Sequence, residues 1–391
     1  MRMLQKLCIF TFLQISIIVW TISFRYDCIS LHYQKLCHQI GTETNNSTHH
    51  HKSSSHVRKE IGKVHVLIVS SWRSGSSLLG ELFSINPNVF YLMEPGWHVW
   101  TNFPQNNADS LQLAMHELVR SVFLCDISAF NSYLSHEKRQ SQDLFGWQHS
   151  RALCTRPACD AFNKTDIVSE KECIKACGRY PLKKVEDTCQ IYSHIVQKEV
   201  RFLSLVPIFN LLRDPSLNIR IIHLVRDPRA VFNSRFKASG ALVADDKIIY
   251  NNIMMSHSKW KIMDKKYRLM EEICKVQVNI YRMAIQEEER VIKGRYKMVR
   301  FEDLTKNVLK VMKDLYKFAN LSLMPNLQDW MYNITHGTDD GSKMGSFQVS
   351  SRDSLAVSEA WKKQLPNYSI RKIQTLCQEA LNVFGYDFHK I

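Results

Sequence analysis

The sequence predicts an α/β protein with a central parallel sheet flanked by helices, behind an N-terminal transmembrane helix. Three observations carry this prediction. An unbroken apolar run opens the chain, short β-branched runs recur through the rest, and segments of helical spacing stand between them.

The opening run, Leu7 to Phe24, holds 18 residues interrupted by Gln14 and a few Ser and Thr. Spanning a bilayer takes about 17–25 apolar residues, so this run is a short span that suits a thin internal membrane. Arg2 and Lys6 precede it, and no small-residue cleavage site follows before Arg25, Tyr26 and Asp27. An uncleaved anchor is therefore favoured over a cleaved signal peptide. Positive charge ahead of the span orients the body to the lumen, an asymmetry that Arg25 weakens. Residues 1–6 then form a cytosolic tail, 7–24 the signal anchor, 25–62 a lumenal stem and 63–391 one folded domain. The stem is polar, rich in Ser, Thr, Asn and His, and without apolar periodicity. Its His49-His50-His51 tract reads as solvated chain rather than a metal site.

Val64 to Val69 is a nearly continuous β-branched run, the pattern of a strand buried on both faces. Ser70 to Ser77 forms a small-residue turn, and Leu78 to Phe83 has helical spacing. Further strands are expected at Val89–Met93, Ile195–Val200, Ile219–Val225 and Tyr296–Phe301. An amphipathic helix is expected over Leu304–Phe318. A last helix runs over Ser369–Phe384, with Gly385 as its C′ residue. Ligands of such a sheet bind at the C-terminal ends of its strands.

Sequons at Asn45, Asn46, Asn163, Asn320, Asn333 and Asn367 fit a secretory surface. Of 11 cysteines, eight lie in the body: Cys125, Cys154, Cys159, Cys173, Cys177, Cys189, Cys274 and Cys377. An even count in an oxidising lumen reads as disulfides of undetermined pairing. The cluster Cys154, Cys159, Cys173 and Cys177 lacks paired C-x-x-C spacing, which disfavours zinc. Cys125 to Cys189 reads as a stapled insertion. Lys and Arg exceed Asp and Glu by 52 to 37, a formal charge of +15, which calls for an anionic partner.

Two constellations answer that charge. Trp72, Arg73, Ser74, Gly75, Ser76, Ser77 and Leu78 lie between a buried strand and a helix. A helix N-terminus there offers unpaired N–H groups and partial positive charge, Gly75 admits close approach, and Arg73 adds bidentate charge. Against the triphosphate loop G-x-x-x-x-G-K-[ST], Ser76 stands where the Lys should be, and no downstream strand ends in an evident magnesium-binding Asp. The loop therefore suits phosphate binding without metal-assisted triphosphate chemistry. The second constellation follows the fourth strand: Arg226, Asp227, Pro228, Arg229, Ala230, Val231, Phe232, Asn233 and Ser234. Pro228 suits a first helical turn, Asp227 its cap, and Arg226 with Ser234 a second anion site. Two phosphate sites at two strand ends suggest one ligand with two separated phosphates.

In order and spacing, Trp72–Ser77, Tyr91–Trp100, His223–Val231 and Val299–Leu304 resemble the Golgi carbohydrate sulfotransferases, nearest the N-acetylglucosamine/galactose 6-O-sulfotransferases. The likeness runs from about Val64 to Tyr386. It departs at Leu78 (often Phe), at Gly96 (often Ala) and in stopping at Ile391. The resemblance implies a P-loop-like sulfotransferase fold in a type II Golgi membrane protein. It implies 3′-phosphoadenylyl sulfate (PAPS) as sulfuryl donor and no metal. Trp72 to Leu78 would hold the 5′-phosphosulfate and Arg226 to Ser234 the 3′-phosphate. The acceptor is expected to be a 6-hydroxyl of N-acetylglucosamine or galactose on a glycoprotein or proteoglycan of keratan or mucin type.

Such a reaction needs a base on the acceptor side and positive charge at the bridging oxygen. Glu94 is the expected base, and Lys198 and Arg73 the expected stabilisers of the leaving group. A salt bridge between Lys198 and Glu199 is the structural alternative. Trp97 and Trp100 suit a sugar-stacking wall or plain core, and His98 a second base or a buried hydrogen-bonded residue. Glu302-Asp303 is expected to cap a helix. A lumenal kinase and a non-catalytic glycan-binding protein are the rival classes. Nucleic acid is disfavoured by anchor, sequons and cysteines. The oligomeric state, a homodimer included, stays open.

Overall fold

The computed structural model describes residues 62–254, 262–339 and 349–389. The tail, the expected anchor, the stem up to residue 61, Asn45, Asn46 and the histidine tract lie outside the described residues. Among the described residues no helix is long and apolar enough to cross a membrane.

Five parallel strands form the sheet: β1 (Val64–Ser70), β2 (Val89–Met93), β3 (His194–Glu199), β4 (Ile219–Val225) and β5 (Tyr296–Arg300). Their spatial order is β2-β3-β1-β4-β5, so β1 sits in the middle with β3 and β4 on either side. The register sets Ser70 opposite Leu224 and Met93 opposite Lys198. The residues after β1, β2, β3 and β4 therefore emerge along one edge of the sheet. Each strand starts or ends within a residue or two of its expected limits.

The helices used below are α1 (Ser76–Ser84), α2 (Gly96–Asn102), α3 (Ala108–Phe123), α4 (Pro228–Lys237), α5 (Val243–Met254) and α6 (Ile262–Gln286). They continue with α7 (Phe301–Lys306), α8 (Val308–Phe318), α9 (Ser354–Glu359), α10 (Asn367–Leu376) and α11 (Gln378–Val383). β1 shows why helices cover both faces. Val66 and Ile68 pack with Leu79, Phe83 and Leu315 of α1 and α8, whereas Leu67 and Val69 pack with Met115 and Val119 of α3. A strand with no polar face has to be covered twice.

Two expected helices are each split. Asn307, at φ −151° and ψ 76°, separates α7 from α8 and caps α8 by accepting from the Lys310 N–H at 3.1 Å. Asparagine competes well for helix N–H groups, so a mid-pattern Asn becomes a cap. Cys377 separates α10 from α11 and is disulfide-bonded to Cys274 of α6. Gly385 has φ 68°, as a C′ residue requires.

All eight body cysteines pair: Cys125–Cys189, Cys154–Cys173, Cys159–Cys177 and Cys274–Cys377. The four-cysteine cluster is thus two disulfides. Cys125–Cys189 closes the base of the long crossover between β2 and β3, and the other two staple its interior.

Candidate functional site

One cavity opens at the strand ends, lined by Trp72, Arg73, Gly75, Ser76, Ser77 and Leu78 of the loop after β1 and the start of α1. Glu94 and Val200 follow β2 and β3 in its wall, Arg226 and Ser234 bring in the β4–α4 segment, and Phe301 starts α7. The C-terminal part of the chain adds Val349, Ser350, Arg352, Ser354 and Val357.

The β1–α1 loop is built on backbone that only special residues tolerate. Arg73 has φ 71° and Gly75 φ 88°. A Cβ on Gly75 would lie 2.2 Å from two ring carbons of Phe301, so the close approach and the left-handed backbone both demand glycine. Ser71 and Ser74 join hydroxyls at 2.7 Å under the turn, which keeps the buried Ser74 side chain off the cavity wall. At α1 no side chain caps the helix and no acidic residue stands in its first turn. Its first N–H groups face the cavity with the helix dipole behind them, a ready anion site.

The second constellation meets the first. Arg226 donates Nη1 to the Arg73 carbonyl at 3.1 Å and Nη2 to the Val357 carbonyl at 2.9 Å, and its guanidinium lies 4.6 Å from the Phe301 ring centre. Its Nε is buried without a partner among the described residues. A buried donor of this kind is costly until an acceptor arrives. Ser234 accepts from Arg73 Nε at 3.0 Å. Burial, then the charges of Arg226, Arg352 and Arg235, pull the Arg73 guanidinium down to about 10. Cations crowded this way favour an anionic ligand.

Asp227 to Asn233 turn their side chains elsewhere. Asp227 caps α4 by accepting from the Arg229 N–H and pairs with the Arg229 guanidinium, Nη2 to Oδ2 at 2.7 Å. Arg229 also stands 4.2 Å over Trp361 and donates to Gln374 at 2.7 Å. Pro228 opens α4, Ala230 packs on Trp361, Val231 and Phe232 join the core, and Asn233 donates to Gln364. Glu302 is not the expected cap. Its carboxylate accepts from the Asp227 N–H at 3.0 Å and from Tyr386 Oη at 2.8 Å, so it braces the Arg226 turn from beneath.

Glu94 has φ 47° and is 4% exposed. Lys198 Nζ donates to its Oε1 and Arg201 Nη1 to its Oε2, the latter at 2.5 Å. Burial alone would raise its pKa, but Lys198 and Arg201 outweigh that and hold it at about 2. Lys198 pairs with Glu94 rather than Glu199 and stays fully buried behind it, outside the cavity wall. Glu199 instead accepts from the Gly96 N–H at 2.6 Å, and burial raises it to about 7.

Trp100 is core, tilted against Trp72 at 5.6 Å, while half-buried Trp97 stacks on Phe145 at 4.8 Å. His98 is buried, accepts from the Phe145 N–H at 3.1 Å and does not line the cavity; burial lowers it to about 4. Arg201, Phe301 and Arg352 escaped the sequence reading as site residues, and Glu302 reads there as a helix cap. For Arg201 a signal existed, since it stands two residues past a buried strand on the ligand-binding edge.

The profile of the sulfotransferase domain family matches residues 63–385. Carbohydrate sulfotransferase 5 of Mus musculus is 46% identical over 83% of this chain and 81% of its own length. Carbohydrate sulfotransferase 6 of Homo sapiens is 47% identical over the same shares, 83% and 81%. Among solved structures, a sulfotransferase domain from the curacin biosynthetic pathway is 16% identical, covers 84% of this chain and 99% of that one, and overlays with a TM-score of 0.42.

Proposed function

The chain belongs to the sulfotransferase domain family, and on that premise we propose that it carries sulfuryl groups from PAPS to the 6-hydroxyl of N-acetylglucosamine in keratan- or mucin-type glycans, with galactose the alternative acceptor. The observation that carries this reading is the contact between the two anion cradles. Arg226 reaches the Arg73 carbonyl and Arg73 reaches Ser234, so one adenosine bisphosphate can touch both.

In this reading the N–H groups at the start of α1, with Arg73, Ser76 and Ser77, grip the phosphosulfate. Arg226 and Ser234 grip the 3′-phosphate, and the idle Arg226 Nε supplies one bond. When bound, the donor supplies an activated sulfuryl group. Arg73, close to the phosphosulfate end, offsets charge that develops on the bridging oxygen.

Glu94 takes the proton of the incoming sugar hydroxyl. Its low pKa makes it a weak base while both cations hold it. Lys198 shares one of its oxygens; from its place behind Glu94 the ammonium meets the leaving group only by swinging past that carboxylate, a move that frees the oxygen and strengthens the base. The apolar run 7–24 and the relatives' family support a Golgi membrane anchor, with the described domain in the lumen. Four disulfides agree with an oxidising compartment.

The test is transfer of labelled sulfate from PAPS to a panel of N-acetylglucosamine-, galactose- and N-acetylgalactosamine-terminated acceptors. Transfer to the first alone supports the acceptor assignment. Turnover of ATP instead of PAPS would replace it with a kinase, and glycan binding without affinity for the desulfonated donor with a lectin-like protein.

A further inference from the structure

Arg201 lies at the junction of the donor loop and the acceptor-side carboxylate. It follows β3, is 2% exposed, and its guanidinium stands 5.8 Å from the ring centres of both Trp72 and Trp100. One nitrogen, Nη1, donates to Glu94 Oε2 at 2.5 Å. The other two form a fork on Asp245 of α5, Nε to Oδ1 at 3.1 Å and Nη2 to Oδ2 at 2.8 Å. The same Asp245 Oδ2 accepts from Trp72 Nε1 at 2.9 Å. A single, largely buried chain of charge-assisted bonds thus runs from Trp72, in the loop after β1, through Asp245, which is partly exposed, and Arg201, to Glu94 and Lys198.

We propose that Asp245 and Arg201 are a positioning pair that ties the seating of the donor loop at Trp72 to the orientation and charge of Glu94. The inference rests on the reading of Glu94 as proton acceptor for its catalytic half only; the Trp72 half stands on the donor loop.

The charges explain why the pair has to be complete. Glu94 and Asp245 carry two negative charges against the two positive charges of Lys198 and Arg201; three of the four are buried, where an unmatched charge is expensive, and Asp245 is partly exposed. Removing the Asp245 charge leaves one acceptor oxygen where there were two, so Arg201 shifts toward Glu94 and the hold on the Trp72 indole N–H weakens. Glu94 is faced besides by Arg73, Tyr91 and Glu199, whose charges act on it through space. Arg235 comes within 5.8 Å of the Trp72 ring but pairs with Asp246, so it does not take the place of Arg201.

The experiment uses the full-length chain with Asp245→Asn, Glu94→Gln and the double variant, corrected for folded enzyme by circular dichroism. Affinity for adenosine 3′,5′-bisphosphate is read by calorimetry, and kcat by sulfate transfer across pH 5–9. Asp245→Asn is expected to weaken nucleotide affinity about fivefold and lower kcat about tenfold, as loss of a network hydrogen bond does. The kcat loss is expected to vanish in the Glu94→Gln background while the affinity loss persists. Unchanged affinity and kcat in folded Asp245→Asn overturn the proposal. Full activity of Glu94→Gln alone overturns the base reading and leaves the affinity arm to judge the link to Trp72. A kcat loss that persists in the double variant overturns the coupling to Glu94.

Discussion

Arg226 Nη1 bonds the carbonyl of Arg73 at 3.1 Å, so the turn after β4 holds the loop after β1 directly. In the proposed reading, the side chain assigned to the 3′-phosphate is also a strut for the loop assigned to the 5′ end. Arg226→Ala is expected to remove both functions. A charge-assisted hydrogen bond contributes about 1.5–3 kcal/mol, so affinity for adenosine 3′,5′-bisphosphate falls about 10- to 100-fold in titration calorimetry. Arg226→Lys should recover little, because an ammonium cannot bridge the Arg73 and Val357 carbonyls together. Undiminished affinity in either variant would remove Arg226 from the donor site.

Gly75 meets Phe301 where any side chain would collide. Gly75→Ala is expected to lower the thermal unfolding midpoint, through the clash and through a left-handed backbone that costs an L-residue about 1–2 kcal/mol. Adding Phe301→Ala should return the clash component and leave the backbone component. A double variant no more stable than Gly75→Ala would mean that the ring is not the obstacle.

Glu94→Gln preserves shape but removes the charge that Lys198 and Arg201 share. Nucleotide affinity is expected to hold within a fewfold while kcat falls about 100-fold or more, the range for a lost general base. Single-turnover transfer of labelled sulfate measures it, and wild-type turnover would strike Glu94 from the mechanism.

His149 is buried in the long crossover, its Nδ1 facing Glu81 of α1 at 2.9 Å and Glu170 at 3.2 Å. Burial opposes its charge, yet the two carboxylates prevail and raise it to about 9 from 6.5. A group whose folded pKa is raised contributes stability that is full below pH 6.5 and is lost as pH climbs through about 9. The contribution is on the order of 1–3 kcal/mol. Thermal midpoints should therefore fall between pH 7 and 9.5 in the wild type and stay flat over that window in His149→Gln. Equal slopes in both would show that another group governs the alkaline limit.

Much of the fold was legible because its signals are local. The run Val64–Val69 is apolar at every position but His65, the pattern of a strand covered on both faces, and Gly75 marks the left-handed turn of the loop after it. The readings that failed concern partners distant in sequence. Glu302 resembles a helix cap in its own neighbourhood, but the Asp227 N–H and the Tyr386 hydroxyl lie 75 and 84 residues away. Lys198 has Glu199 beside it, yet adjacent strand residues point to opposite faces, so its true partner is Glu94 across the register.

By itself the sequence determined which segments form the strands of the central sheet, which two loops bring small and basic residues to the strand ends, and which family the chain resembles, because periodicity and motif spacing are properties of consecutive residues. Only the tertiary structure decided how the eight cysteines pair, which of the loop residues face one cavity, and that Trp72, Asp245, Arg201 and Glu94 form a continuous hydrogen-bonded chain. Those are relations among four separate segments, and the strand order that packs β3 and β4 against either side of β1 is what brings them together.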